Sequence, residues 1–447
     1  MGIKGKEKRD KAKNEKKQLE MLEKEKELYS KACVASSIKF VAGEVSDKTT
    51  KLTETDKFSS SLATILARDK EVVAVMLKVL TNGCSVYIAK NDNWLENDTI
   101  HINRIENYLK RISEDAPITM QVATKRDDVR ALSSEIMTYC AVKLQSRFEK
   151  LKKDIIRDRN KHIKSFIKYA SIDTKNMDNI NKYDFSITCF EYRKNQKMLF
   201  KSLEDPATPK YLKKFLGHIK KVGSYYESLN KIISCACNAK YKILFSHMEV
   251  HMLEPIMAKQ SIISWENVIK RFITDHEKYE NFKEACLNDD KKNDNLRRVY
   301  GENMQLDSAD IRQTVKLHAE MNILTNVLIN EGDKSRAFIV ISKRCCYLCE
   351  LYIRFARTKG YVIDISGTHR KIYHLWKFPD VNNAIFYDES LSHILKNLNQ
   401  IIKDETDNLT EEMASSDSEA GSVGSNNSKT GSSHNVNEEF RSIFKEI

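Results

Sequence analysis

Along most of this chain, apolar residues recur at spacings of three and four, the period of a helix with one buried face. Between residues 100 and 305 this spacing predicts helices over 129–156, 211–233, 240–254 and 264–287, with Phe215, Ile219, Val222 and Tyr226 forming one such stripe. Charged faces alternate with the apolar stripes, as in a helical bundle. Asp205-Pro206-Ala207-Thr208-Pro209 is the clearest interruption. A different pattern flanks this stretch. Upstream, 56–67 predicts a short helix, and 72–79 and 84–89 are β-branched runs separated by Thr81-Asn82-Gly83, which predicts a β-hairpin. Downstream, 316–330 predicts a helix with Met321, Leu324 and Leu328 on one face, ended by Gly332. The run AFIVIS at 337–342 predicts a buried strand, 346–358 a helix ended by Gly360, and 361–366 a further strand. Helix, strand, helix and strand joined by short loops predict an α/β unit with parallel pairing.

The two ends differ from both patterns. Residues 1–31 are dominated by Lys and Glu, which predicts a solvated helix or a disordered, solubilising extension within a segment reaching about residue 40. The cluster from Lys4 to Lys13 also has the composition of a nuclear-import or RNA-contact patch. Residues 404–437 are rich in Ser, Asp, Asn and Gly, and predict an acidic, disordered tail. Composition sharpens this division. The chain of 447 residues has 13 Gly and 5 Pro, which favours helices over a turn-rich β fold. Its formal charge is +12, but 404–447 carries 10 acidic and 3 basic side chains, leaving about +19 on residues 1–403. So basic a body suits an anionic partner, most commonly nucleic acid; Lys-rich faces that are simply solvated give the same count. No leader-like apolar segment opens the sequence, Lys6 stands where a myristoylation signal needs Ser or Thr, and no apolar run nears the roughly 18 residues of a membrane span. An intracellular protein without membrane contact is expected, in which clustered cysteines suggest metal rather than disulfides.

Of the 10 cysteines, Cys345, Cys346 and Cys349 fall at the predicted start of one helix, shortly after a buried strand. A Cys-x-x-Cys pair there shares a helix face, and the helix N-terminus favours thiolates. His318-Ala319-Glu320 opens the preceding helix. His318, Cys346 and Cys349 would give zinc three protein ligands and leave the fourth position for water, the arrangement of a catalytic rather than a structural site. Hydrolytic deamination of an amidine-like ring carbon then needs a carboxylate to carry the water proton to the ring nitrogen, and Glu320 is placed for that work. His-x-Glu alone is weak, since His247-Met248-Glu249 is a second instance. The bland alternative is a helix-capping His318 beside cysteines buried as small apolar residues.

The order HAE…CxxC resembles the cytidine-deaminase-like superfamily. Its form here, ISKRCCYLCELY followed by SGTHRKIYHLWKFP, resembles the fungal and rickettsial deaminase-like family named after a rickettsial OTT locus. The resemblance covers about 311–380 well and 56–93 loosely. It implies Zn2+ held by His318, Cys346 and Cys349, Glu320 as proton shuttle, and Gly367, His369, Trp376 and Pro379 as parts of the domain. One departure stands out: where the family motif has Pro before the first Cys, this chain has Cys345, a candidate alternative ligand or redox-sensitive neighbour. The resemblance further implies a three-layer sandwich, a central mixed sheet with zinc-bearing helices, normally opening with a helix and hairpin. The good match to that opening lies at 50–95, so we expect one deaminase core made of 50–95 and 306–403, interrupted by a helical lobe at 96–305. A separate N-terminal domain is the other arrangement. Asn91 and Asn93 follow the second strand where related deaminases place a sugar contact, although turn-forming Asn is equally at home there.

Other candidates are weaker. His247 and His251, one turn apart on a predicted helix with Glu249 between, lack the metalloprotease order. Cys235 and Cys237 face different sides of a helix. His369 and His374 follow the final strand and either lines a pocket or packs; Trp376 either stacks on a base or fills the core. The favoured expectation is a zinc-dependent deaminase of a nucleobase, cytosine or adenine, in nucleic acid or a free nucleoside. A non-catalytic binding protein with structural zinc, or a helical scaffold regulated by its acidic tail, are the alternatives.

Overall fold

The computed structural model describes residues 3–43, 51–157, 160–304, 306–308 and 311–420. Seven strands occur among them: β1 (Val73–Leu80), β2 (Gly83–Lys90), β3 (Met248–Leu253), β4 (Met257–Ile262), β5 (Ile311–Lys316), β6 (Ala337–Ile341) and β7 (Ile363–Ile365). β1 and β2 form the hairpin predicted by their turn residues, from Val73 opposite Lys90 to Leu80 opposite Gly83. A Cβ on Gly83 would stand 2.4 Å from the His247 carbonyl oxygen, so glycine is what allows β3 to approach. β3 joins β2 in parallel, β6 joins β1 antiparallel and β7 joins β6 in parallel, giving a mixed sheet of order β3-β2-β1-β6-β7. β4 and β5 make a separate antiparallel pair that leads straight into His318.

The alternation of side chains along the strands divides the interior into two cores. Ala74, Met76, Ala89, Ile339 and Ile341 face one side, toward the helices that carry His318 and Cys346. Val73, Val75, Val86, Ile88, Phe338 and Val340 face the other, toward the helix Glu54–Ile65 and the helical lobe. Both faces are thus covered by helices, as an α/β sheet requires. Full burial of each Val, Ile, Met or Phe among them contributes about 1.5–3 kcal/mol.

Several sequence expectations are corrected. The segment 240–254 is not one helix: a short helix, Lys242–Ser246, gives way to β3. In β3 the residues Met248, Val250 and Met252 alternate toward the lobe core, a period of two that the absence of an internal Gly or Pro disguised. The region 96–305 is therefore not all helical; it supplies β3 to the main sheet and β4 to the second pair. The stretch 129–156 breaks at Cys140 into Asp127–Tyr139 and Ala141–Arg157, and 264–287 into Trp265–Ile269 and His276–Asn288. Residues 316–330 form a short α-helix, Ala319–Ile323, continued by a π-helical turn, Leu324–Ile329.

The chain ends differ most from expectation. The N-terminal helix, Ile3–Ile38, is no mere solubilising extension, because Leu28, Tyr29, Ala32, Val34 and Ile38 are buried in the first core. They pack there with Leu391, Ile394, Leu398 and Ile402 of the last helix, Ala384–Ala420. That helix also runs through 404–420, where disorder was expected; the rest of the predicted tail lies outside the described residues. Among the described residues no helix is long and apolar enough to cross a membrane.

Candidate metal centre

β5 ends two residues before His318, which is the N-cap of the helix Ala319–Ile323. An N-cap side chain usually accepts a hydrogen bond from the first turn. The His318 ring makes none; instead Ala319 N–H donates to Asn91 Oδ1 at 2.8 Å, from the loop after β2. The imidazole is thereby left available. On the facing helix, Tyr347–Thr358, Cys346 is the N-cap and its Sγ accepts from Cys349 N–H at 3.4 Å. His318 Nδ1 lies 3.5 Å from Cys346 Sγ and 3.3 Å from Cys349 Sγ. Tetrahedral zinc with ordinary Zn–N and Zn–S lengths separates such donors by about 3.5 Å. The three residues form a largely buried group able to hold a metal ion.

The charges in this group answer one another. Burial opposes a thiolate at Cys346, but the Cys349 hydrogen bond and the His318 charge outweigh it and draw the thiol down to about 6. Burial likewise opposes an imidazolium at His318, and the Cys346 charge more than reverses this, raising it to about 9. Burial, then hydrogen bonding with Cys345 and Cys346, drives the Cys349 thiol well up. Cys346 and His318 thus stand as thiolate and imidazolium of a buried ion pair, and a metal ion held here would take the place of the His318 and Cys349 protons.

Glu320 completes the group. Its side chain is 3% exposed, with Oε1 3.9 Å from His318 Nδ1, while Oε2 has no hydrogen-bond partner. A buried carboxylate oxygen left without a partner is costly unless a ligand or metal-associated water satisfies it. Soft sulfur donors, an imidazole and an orphaned carboxylate oxygen together fit a zinc ion with one position open.

Cys345 is fully buried, and its sulfur converges with a carboxylate oxygen of Glu320 and the sulfur of Cys349 in a second group with all ligand atoms within 4.8 Å. Its N–H donates to Gly367 O at 3.0 Å and its carbonyl accepts from His369 N–H at 3.0 Å. Proline at this position would have no N–H for the first bond. The departure from the family motif is thus used to lash the cysteine loop to 366–371. Gly367 supports that loop with φ +108°, a conformation open to glycine.

The remaining sequence candidates are placed as follows. Trp376 is fully buried and donates Nε1–H to Cys349 Sγ at 3.1 Å, so it is not placed to stack on a base; it holds a ligand sulfur instead. His369 is half-buried, its Nδ1 accepts from Lys371 N–H at 3.1 Å, and its ring meets Tyr373, which in turn meets the His318 ring. Burial, then the Lys371 charge, lowers its pKa to about 4, so it is neutral at ordinary pH. His374 is lowered to about 4 by burial and then by Arg298. Asn91 touches the site through Ala319, whereas Asn93 is exposed. His247 and His251 do not share a helix face: His247 caps a short helix and His251 lies in β3, stacked on Tyr87. Cys235 and Cys237 are buried and belong to neither ligand group.

Sequence reasoning missed the supports. Asn322 Nδ2 donates to Glu254 O at 2.9 Å, tying the His318 helix to the end of β3. Glu350 accepts from Thr368 at 3.0 Å and from Arg370 at 3.1 Å, tying the Cys346 helix to the loop. Ile372 N–H donates to Phe40 O at 2.9 Å, so the end of the N-terminal helix buttresses the same loop. Asn322, Glu350, Thr368 and Arg370 lie in or beside the motifs already singled out, whereas Phe40 carried no signal.

No curated protein and no solved structure shows a significant match to the chain. Residues 317–380, which hold His318, Glu320, the three cysteines and the 366–371 loop, match the model of the OTT_1508-like deaminase family.

Proposed function

We propose that this protein is a zinc-dependent hydrolase that deaminates a nucleobase, cytosine or adenine, carried in nucleic acid. The observation that carries the proposal is the buried Glu320 carboxylate, one oxygen without a partner, beside three converging ligand atoms. The family match over 317–380 supports it. Zinc at His318, Cys346 and Cys349 would supply a water with its pKa lowered towards ~7. Glu320 takes a proton from the water, returns it to the ring nitrogen and assists the departing ammonia, so water enters and ammonia leaves. Trp376, through Cys349, and Asn91, through Ala319, hold the ligand-bearing groups in place. In this reading the sheet with helices on both faces is the cytidine-deaminase-like three-layer sandwich, its strands drawn from 50–95 and 306–403 and extended at one edge by β3 from the intervening 96–305. The net charge of about +19 over 1–403 supports a polyanionic substrate.

Sequencing nucleic acid from cells expressing the wild type or Glu320→Ala tests this. C-to-T/U or A-to-G changes confined to the wild type are expected; identical spectra count against it. A second reading has an observation of its own: Cys345 shares Cys349 with the first ligand group and would add a further ligand to make the site structural. Cys345→Ser decides between them, since an open catalytic site keeps its zinc and a closed one loses it.

A further inference from the structure

The lobe carries a cleft of about 1000 Å³ between the helices Glu54–Ile65, Lys182–Asn195 and Lys210–Ala236. Some of its cations are neutralised: Lys57 and Lys231 pair with Glu54, and Arg193 pairs with Glu227. Lys194, Lys197, Lys201 and Lys220 are exposed and have no ion pair among the described residues. The half-buried rings of Phe190 and Phe200 line the same cleft, as do the small hydroxyl side chains Ser60, Thr64 and Ser224. Free ammonium groups beside aromatic rings make a surface that can pair with phosphates and stack bases together.

A basic tract joins this cleft to the cysteine loop. Lys343, two residues before Cys345, donates to Lys70 O at 2.8 Å. Lys143 reaches the same turn, donating to Ala67 O at 2.9 Å. Arg147, one helical turn on, donates to Lys221 O at 3.0 Å and to Ser224 Oγ at 3.1 Å, and Ser224 lines the cleft. Lys221 is held below the ordinary lysine range by burial first, then by the charges of Arg147, Lys150 and Arg344, which places the residue before Cys345 in the same positive field.

We infer that this cleft binds a single strand of nucleic acid, whose phosphates contact Lys194, Lys197, Lys201 and Lys220 and which continues along the Arg147–Lys343 tract toward the metal centre. The inference rests on the nucleic-acid part of the proposed function and does not require catalysis. A duplex would offer the phosphates but no open base faces for Phe190 and Phe200.

The test is fluorescence anisotropy of a mixed-sequence single-stranded RNA oligonucleotide, with DNA and duplex arms, on the full chain at low salt. K194E/K197E/K201E should weaken binding about tenfold or more and flatten the dependence on salt. The comparison variant R271E/K396E/K403E reverses three exposed cations in another cleft, between the first and last helices, and should change affinity less than about twofold. Single strands should outcompete duplex. Equal weakening by both triple variants would show a response to net charge alone and overturn the inference, as would an unchanged groove variant or no binding by the wild type. Failure of the groove would leave ammonia release from short substrates to judge the deaminase reading separately.

Discussion

Two buried carboxylates lie in different regions of this molecule. Asp98, in the helix that follows the β1–β2 hairpin, is surrounded: Lys90 Nζ stands at 2.8 Å, Tyr139 OH at 2.8 Å, Leu95 N–H at 3.0 Å and Arg68 at 3.2 Å. Glu320, on the other side of the sheet, has an oxygen with no partner. A satisfied buried charge is a structural element, and an unsatisfied one marks where something else is to bind. The same side-chain chemistry thus serves stability in the lobe and leaves an open acceptor at the candidate metal centre.

That contrast is sharpened first by Asp98→Ala. It leaves Lys90, 1% exposed, with only Glu71 as a close anion, and should destabilise the fold by about 3–5 kcal/mol in denaturant unfolding. Burial alone would raise the Asp98 pKa, but Lys90, the Leu95 N–H and the Tyr139 hydroxyl outweigh it and hold the carboxyl below its ordinary range. Its stabilisation is therefore complete above that range and is lost as pH falls through the lowered value. Asp98→Asn should flatten the acid limb of the stability profile; an unchanged limb would mean the network is not charged as described. By contrast, Glu320→Gln removes a buried charge that leaves one oxygen unsatisfied and should not destabilise the fold; a loss like that of Asp98→Ala would make Glu320 a structural residue.

A smaller effect is expected where the metal centre borrows support. Trp376→Phe keeps an aromatic ring in the core but removes the donor to Cys349 Sγ, and should weaken zinc retention against a chelator by about tenfold. Wild-type retention would reduce Trp376 to packing. Smaller still, Asn91→Ala removes the acceptor for Ala319 N–H and should cost about 1 kcal/mol of stability. No measurable cost would mean that water replaces the side chain.

The sequence made the chemistry legible before the architecture. His318, Cys346 and Cys349, which the structure brings together, were visible because a candidate ligand set demands particular residue types at helix starts, and Glu320 because it stands two residues from that histidine. The hairpin was visible because Asn82-Gly83 separates two β-branched runs. β3 was hidden because six alternating residues follow a helical turn without punctuation. The role of the N-terminal helix was hidden because its charged first half masks apolar residues between Leu28 and Ile38, whose partners lie over 350 residues away in Leu391–Ile402. The site supports were illegible for the same reason. Glu350 and Phe40 act through hydrogen bonds to other segments, which leave no periodicity and no motif, and Asn91 reads in the sequence as a sugar contact and not as the acceptor for Ala319.

The central claim, that Glu320 works on a water at a zinc held by His318, Cys346 and Cys349, is tested most directly by ammonia release from single-stranded nucleic acid. Wild type and Glu320→Gln are to be compared at matched zinc content, about one ion per chain. The account predicts that both proteins hold zinc equally and that only the wild type releases ammonia, with the variant slower by about 10²–10⁴-fold. Equal release by the two proteins, or none from a fully zinc-loaded wild type on cytosine- or adenine-bearing strands, would contradict it.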